Sequence, residues 1–201
     1  MDRPEPGLIK WSPSPDRDSF IHVNLTQRVV QLYRPTGHAH RGRFDYNKLQ
    51  KHDESPPLTT YDWSPFIPDL VAVGTASGTV NLLRIDGSNG YYELPIRQGR
   101  MCQSVAFNTG SLLAVGLDRV RNDECLHIWD VSRLANRKEP GLPSDPQGSR
   151  EADRAVPPVR QIEASVSVSS TKFFEDSPQT LVAAVKNQGI RIYDLRGRKR
   201  L

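Results

Sequence analysis

Four stretches of this chain repeat one pattern of short segments, and this repetition limits the possible folds more than any other feature. Each stretch opens with an aromatic residue near a turn, continues with a short apolar segment and closes on an alternating segment that ends in an apolar or aromatic residue. The opening aromatics are Trp11, Trp63, Phe107 and Phe174. The four stretches are residues 10–34, 61–85, 104–131 and 170–195.

The closing segments alternate with a period of two, which is typical of a β-strand with one packed face. The pairs that fall on this face are Val80 and Leu82, Leu126 and Ile128, and Ile190 and Ile192. Turn residues such as Ser77-Gly78 separate the segments within a stretch. None of the stretches sustains the 3.6-residue apolar period of a helix. The sequence therefore predicts an all-β fold.

The distance between the closing residues matches the length of a propeller blade. It is 50 residues from Tyr33 to Leu83, 46 from Leu83 to Trp129 and 64 from Trp129 to Tyr193, and blades run about 40–50 residues. Residues 133–160 lengthen the third interval, and their prolines and charges predict a disordered insertion. We therefore expect a β-propeller with about four blades. The predicted blades are residues 8–34, 58–96, 101–132 and 161–196.

Composition excludes several classes of protein. Of the 201 residues, 36% are apolar and 25% are charged, and the net charge is +4. No run approaches the ~18 consecutive apolar residues of a membrane span, and the first residues lack the apolar stretch of a signal peptide. Two cysteines are too few for a disulfide scaffold or a four-cysteine zinc site and favour a reducing compartment. The charge is small and mixed, so we expect neither nucleic-acid binding nor membrane insertion.

The sequence contains no group of residues that points to catalysis. It has no phosphate-binding P-loop and no Gly-x-Ser-x-Gly nucleophile motif. We expect Cys102 and Cys125 to be buried, inert thiols, His38 and His40 to be solvated, and His127 to face away from the packed side of its strand. We therefore predict no catalytic residue, no cofactor, no metal site and no small-molecule substrate.

Two dipeptides, Trp129-Asp130 and Tyr193-Asp194, are the signature of WD-type blades. We expect the aromatic residue to fill the wedge between neighbouring blades and the aspartate to start a polar turn. With Trp11 and Trp63, these residues form the predicted structural signature of the repeat.

One charged loop of the third stretch is a candidate for protein docking. It is longer than the corresponding turn of the second stretch and protrudes with both signs of charge. A loop of this kind either binds a partner or is simply solvated, and the sequence leaves both interpretations open. Its charged residues are Asp118, Arg119, Arg121, Asp123 and Glu124.

Residues 94–108, LPIRQGRMCQSVAFN, and 112–132, LLAVGLDRVRNDECLHIWDVS, resemble the third blade of the Mio (missing oocyte) family of WD-repeat proteins. Arg100 and Cys102 stand where that family has an arginine and a cysteine before the first strand of the blade. The segment IKWSPSPDRDSFIHV is similar to the opening of the family, and LVAAVKNQGIRIYDLRG to its fourth blade. The resemblance implies a propeller that is incomplete here, without the family's helical solenoid and C-terminal zinc-binding region.

The same resemblance implies a function. Members of this family are non-catalytic scaffold subunits of the SEA complex, called GATOR in animals, which regulates TOR signalling in response to amino acids. The implied partners are other subunits of that complex, and the implied location is cytoplasmic, peripheral at the vacuolar or lysosomal membrane through the complex. The alternatives are a WD-repeat adaptor of RNA or membrane-traffic machinery and, in a different class, a propeller hydrolase, because fold alone does not fix function.

An incomplete ring has consequences for the isolated chain. A four-blade arc of WD-type units exposes the apolar flank of its last blade and unpaired strand edges. We therefore expect the chain alone to be aggregation-prone or to depend on a partner.

Overall fold

The computed structural model describes residues 8–40, 43–53, 56–86, 91–96, 99–132 and 156–197. Fifteen β-strands, β1 to β15, make up the regular structure of these residues. No helix within these ranges is long and apolar enough to cross a membrane. The strands are β1 (Leu8–Trp11), β2 (Phe20–Asn24), β3 (Val29–His40), β4 (Arg43–Asp53), β5 (Leu58–Trp63), β6 (Leu70–Thr75), β7 (Thr79–Arg84), β8 (Tyr91–Pro95), β9 (Cys102–Phe107), β10 (Leu112–Leu117), β11 (Glu124–Asp130), β12 (Arg160–Ala164), β13 (Val168–Phe173), β14 (Thr180–Val185) and β15 (Gly189–Asp194).

The strands form four antiparallel sheets in which each strand pairs with its neighbours in sequence. The first sheet contains β1 to β4, the second β5 to β8, the third β9 to β12 and the fourth β13 to β15. The innermost strands of successive sheets lie side by side, with β9 contacting both β5 and β13. The all-β prediction is confirmed. Four stacked sheets that do not close into a barrel are the arrangement of an incomplete propeller.

The apolar core lies between the sheets rather than within one of them. One cluster joins the first sheet to the second and includes Ile21, Val71 and Leu83. A larger cluster runs from the second sheet through the third to the fourth and includes Leu82 and Leu126. Burying each such side chain stabilises the fold by ~1.5–3 kcal/mol, so the stacking of neighbouring sheets is the main source of stability.

A sheet that lies between two others is packed on both faces. In β7, Leu82 faces the third sheet and Leu83 faces the first, and both are buried. The expectation of a single packed face is therefore wrong for β7, and it is wrong for β11 as well, where His127 is buried beside Leu126. The period-two pattern of apolar residues identifies the side chains on one face of each strand, although the side chains on the other face are buried as well.

The sheets also differ from the predicted units at their edges. The first sheet continues to Asp53, beyond the predicted boundary at residue 34. Strand β12 pairs with β11, where Ile128 opposes Arg160, and so belongs to the third sheet rather than to the fourth unit. The two strands are separated by a long connection in the sequence, so no local sequence pattern predicts that they pair.

The predicted disordered insertion, residues 133–160, is only partly covered by the structure. Residues 133–155 lie outside the described residues. The last part is ordered, because the Val159 amide donates a hydrogen bond to the Ile128 carbonyl at 2.7 Å and Arg160 begins β12. The expectation of disorder therefore does not hold for residues 156–160.

Candidate interaction surface

Trp129 is fully buried at the centre of the third sheet. It opposes Leu113 on β10, and its indole Nε1 donates to the Val156 carbonyl at 3.1 Å. The carboxylate of Asp130 accepts hydrogen bonds from the amide of Ser132 at 3.1 Å and from its hydroxyl at 2.7 Å. The aromatic residue thus fills space between sheets, while the aspartate closes a turn after the strand.

Tyr193 and Asp194 have a similar arrangement in the fourth sheet. Tyr193 opposes Leu181 and is buried. Asp194 accepts from the amide of Arg196 at 2.9 Å and from its guanidinium at 2.7 Å. These hydrogen bonds to Arg196 lower the pKa of Asp194 to about 2. In both dipeptides the aspartate carboxylate therefore binds the amide two residues later.

The opening aromatics are not equivalent in the structure. Trp63 is buried, and its indole donates to the Pro68 carbonyl at 2.8 Å. Trp11 is 57% exposed and stacks edge-on against Phe20, with 5.3 Å between the ring centroids. In the fourth sheet Phe173, the last residue of β13, takes the buried position, whereas Phe174 follows the strand and is 43% exposed. The predicted alignment was shifted by one residue there, because either adjacent phenylalanine satisfies the sequence pattern.

Arg100 is a buried cation beneath the candidate docking loop. Its guanidinium Nη2 lies 2.9 Å from Asp123 Oδ2 and donates to the Glu124 carbonyl at 2.5 Å. The second sheet approaches it closely, because a Cβ on Gly78 would lie 2.6 Å from the amide nitrogen and the carbonyl oxygen of Arg100. Separating this ion pair would leave a buried charge without its partner, which is costly. Arg100 therefore holds Asp123, and with it the end of the loop, in place.

His127 lies beside this ion pair and is buried, which contradicts the expectation that it faces away from the packed side. Its ring is 5.4 Å from the ring of Trp129, centroid to centroid, and its Nε2 is 3.4 Å from Arg100 Nη2. The pKa of His127 is lowered to about 4, mainly because the ring is buried and to a smaller extent because Arg100 is charged. The imidazole is therefore neutral at pH 7.

Both cysteines are buried free thiols, Cys102 in β9 and Cys125 in β11. Burial raises the pKa of Cys102 to about 12, so this residue remains a thiol at neutral pH. Within the described ranges, no group of three or more His, Cys, Asp or Glu side chains could hold a metal ion.

The β10–β11 loop, residues 118–123, is held from two sides. On one side the Asp118 amide donates to the Met101 carbonyl at 3.0 Å, and Arg100 pairs with Asp123. On the other side the Asn122 amide donates to the hydroxyl of Ser165 at 3.1 Å. Neighbouring connections of the chain thus fix the loop backbone, which the sequence alone did not indicate.

The charges of the β10–β11 loop are divided between its two sides. Asp118 accepts from the Ser167 hydroxyl at 3.5 Å, and Asp123 pairs with Arg100, so both carboxylates are engaged against the protein. Arg119 and Arg121 are exposed to solvent. Of the five candidate docking residues, the structure therefore presents the two arginines outward. Glu124 is half-buried at the start of β11.

The opposite end of the inner strands borders a cleft of about 590 Å³. Its charged residues include Lys10 and Asp62, which form an ion pair with each other. The other Asp62 oxygen accepts from the Phe107 amide at 2.7 Å. The cleft therefore has a carboxylate that is already fully engaged with β1 and β9.

Comparison with known proteins identifies similar chains. No known protein-family profile matches this chain. It is 30% identical, over 202 aligned positions that include 94% of its length, to GATOR2 complex protein Mio of Drosophila melanogaster. It is 25% identical over 128 positions, 64% of its length, to an uncharacterised WD repeat-containing protein of Schizosaccharomyces pombe.

The matches extend over only part of each relative. The chain spans 20% of the Drosophila protein and 12% of the Schizosaccharomyces protein. Within that part, the similarity agrees with four stacked antiparallel sheets and with the Trp129-Asp130 dipeptide, whose tryptophan is buried. Over nearly all of its own length, this chain is therefore similar to Mio-like WD-repeat proteins.

Proposed function

We propose that this chain is a non-catalytic WD-repeat scaffold of a GATOR-type complex and binds other protein subunits of that complex. The observation that carries the proposal is its 30% identity to a GATOR2 complex protein over 94% of its own length. A stack of rigid sheets with loops at both ends offers surfaces for protein partners.

The state of the reactive side chains supports a binding role. The thiol of Cys102 has a pKa of about 12 and is buried. His127 is buried and neutral, and it contacts Arg100 and Trp129 rather than a nucleophile. A catalytic thiol or base needs a pKa near the working pH and access to substrate. These residues therefore serve packing.

At a finer level, we propose that the complex is of the SEA or GATOR type and regulates TOR signalling in response to amino acids. The chain would be located at the vacuolar or lysosomal surface through that complex. It covers only 20% of the Drosophila relative, so we propose these roles for the complex and not for the four sheets by themselves.

The test is a chimera in which this chain replaces the matching segment of the Drosophila Mio protein. We expect the chimera to co-purify with the GATOR2 subunits and to restore the amino-acid response of TOR-dependent phosphorylation in cells without Mio. A matched control carries Trp129→Ala, which removes a buried side chain at the centre of the third sheet. A folded chimera that purifies without those subunits would refute membership of the complex.

A further inference from the structure

We propose that Arg119, Arg121 and Lys186 form a basic patch that binds a carboxylate-rich segment of a partner protein. The inference deepens the proposed scaffold function by naming the chemistry of the partner and the surface it contacts. It rests on three observations: a fixed backbone, a link between two loops and cations that form no ion pair with a described residue.

The first observation is the fixed backbone of the β10–β11 loop. The Asn122 amide donates to Ser165 Oγ at 3.1 Å, and the Ser165 amide donates back to the Asp123 carbonyl at 2.9 Å. Arg100 holds the carboxylate of Asp123 from below at 2.9 Å. A binding loop that is already ordered loses less conformational entropy when a partner arrives.

The second observation is that one serine joins this loop to the turn between β14 and β15. The Arg119 amide donates to the hydroxyl of Ser167 at 2.8 Å, and the Lys186 amide donates to its carbonyl at 2.9 Å. Lys186 is therefore close to the β10–β11 loop, although 67 residues separate it from Arg119. Sequence reasoning did not include Lys186, because only the stacking of the third and fourth sheets brings it there.

The third observation is that the three cations form no ion pair within the part of the chain that the structure describes. Arg119, Arg121 and Lys186 are exposed, and no ion pair joins any of them to a carboxylate elsewhere in the described residues. Of the nearest acids in sequence, Asp118 accepts a hydrogen bond from Ser167, Asp123 pairs with Arg100 and Glu124 is half-buried. The patch therefore presents positive charge to solvent.

The chemistry of the patch favours a protein carboxylate over a nucleic acid. Arginine binds either a carboxylate or a phosphate through two parallel hydrogen bonds, so the choice between them depends on the other side chains of the surface. Single-stranded nucleic acids are usually bound by stacking on aromatic rings, and neither the β10–β11 loop nor residues 186–188 contain an aromatic side chain. Three cations would also make few phosphate contacts, and affinity for DNA grows with the number of phosphates that a protein neutralises.

The test measures, by fluorescence anisotropy, the binding of a fluorescein-labelled polyglutamate peptide to the monomeric fraction of the 201-residue chain, which is isolated by size-exclusion chromatography because the chain alone is expected to aggregate. The patch variant is R119Q/R121Q/K186Q. The control variant, R34Q/K48Q/K172Q, removes the same charge from exposed cations outside the patch. Each pair at an exposed surface contributes little, but the patch variant removes three cations together, so we expect it to bind about fivefold more weakly and the control less than twofold.

The thermal melting curves of both variants establish that they fold like the parent chain. Equal losses in the two variants, or no binding by the parent chain, would overturn the proposal. Tighter binding of a labelled oligothymidylate than of polyglutamate would also overturn it and would identify a nucleic-acid surface. If the unsubstituted Mio chimera co-purifies with the GATOR2 subunits but does not bind polyglutamate, only the patch is refuted. If it binds polyglutamate but does not co-purify with those subunits, only membership of the complex is refuted.

Discussion

The third and fourth sheets contain closing strands with nearly the same sequence pattern but very different burial. Residues 126–130 of β11 read Leu-His-Ile-Trp-Asp, and residues 190–194 of β15 read Ile-Arg-Ile-Tyr-Asp. Leu126 and Ile128 are buried, whereas their counterparts Ile190 and Ile192 are 75% and 53% exposed. The same alternation thus gives a core strand in one sheet and a half-exposed strand in the other.

The neighbours of each sheet explain the difference. The third sheet has a sheet on each face, and β12 covers the outer edge of β11. In the fourth sheet, β15 pairs only with β14 among the described strands. A strand's own sequence determines which residues are able to pack, but the neighbouring elements determine which residues do. The predictions below compare positions in or beside these two sheets.

The largest difference is expected for the signature aromatics. Trp129→Ala leaves a cavity in the middle of the core, and we expect it to lower the free energy of unfolding by ~3–5 kcal/mol. Tyr193→Ala removes a smaller ring next to an exposed face and should cost clearly less. Urea denaturation of both variants measures this, and equal costs would mean that the two sheets are packed alike.

The ion pairs of the two sheets should also differ in how much they contribute to the free energy of unfolding. Arg100→Met leaves the carboxylate of Asp123 without its partner in a buried setting, which we expect to cost about 3 kcal/mol. Arg196→Met breaks the exposed pair with Asp194, and surface pairs contribute little, so no resolved change is expected. The same denaturation experiment tests both, and a large loss for Arg196→Met would contradict the comparison.

His127 should make stability depend on pH in the third sheet. Its pKa is about 4 in the folded chain, against 6.5 ordinarily, so the unfolded chain binds more protons between these values. Stability should therefore fall by up to ~3 kcal/mol as the pH drops from 6.5 to 4. His127→Gln should flatten the stability profile between pH 6.5 and 4, and His22→Gln serves as the control.

In the fourth sheet, the titration of Asp194, whose pKa is about 2, should change stability only at lower pH. An unchanged profile in His127→Gln would show that folding does not lower the pKa of this imidazole.

The smallest difference concerns single methyl groups. Ile128→Val removes one from a buried side chain and should cost ~0.5–1.5 kcal/mol. Ile192→Val removes one from an exposed side chain and should stay within ~0.5 kcal/mol of the parent chain. If Ile192→Val destabilised as much as Ile128→Val, the outer face of the fourth sheet would be covered in solution.

The sequence predicted what depends on local pattern. The strands around Trp63, Phe107 and Trp129 follow from short apolar segments and turn residues, and the all-β class follows with them. It did not predict the burial of His127, because the second packed face of β11 is supplied by other parts of the chain.

In the candidate surface, too, local sequence predicts some features and the packing of the sheets determines the others. The charged residues of the β10–β11 loop stand out in the sequence as a run of Asp, Arg and Glu. Their orientation does not, since it depends on Arg100 from the preceding connection and on Ser167 from the following one. Lys186 joins the surface through the contact between two sheets and carries no local signal.

The order of strand pairing also has a consequence for how the chain folds. Most pairs join neighbouring strands after a short connection, and contacts that are local in sequence form quickly. The pairing of β12 with β11 is the exception, since Glu124 and Ala164 are 40 residues apart. During synthesis, each sheet can assemble soon after its last strand leaves the ribosome, whereas the outer edge of the third sheet must wait for the chain to return. That edge is therefore the part of the third sheet that forms last and the part most exposed to mispairing before it does.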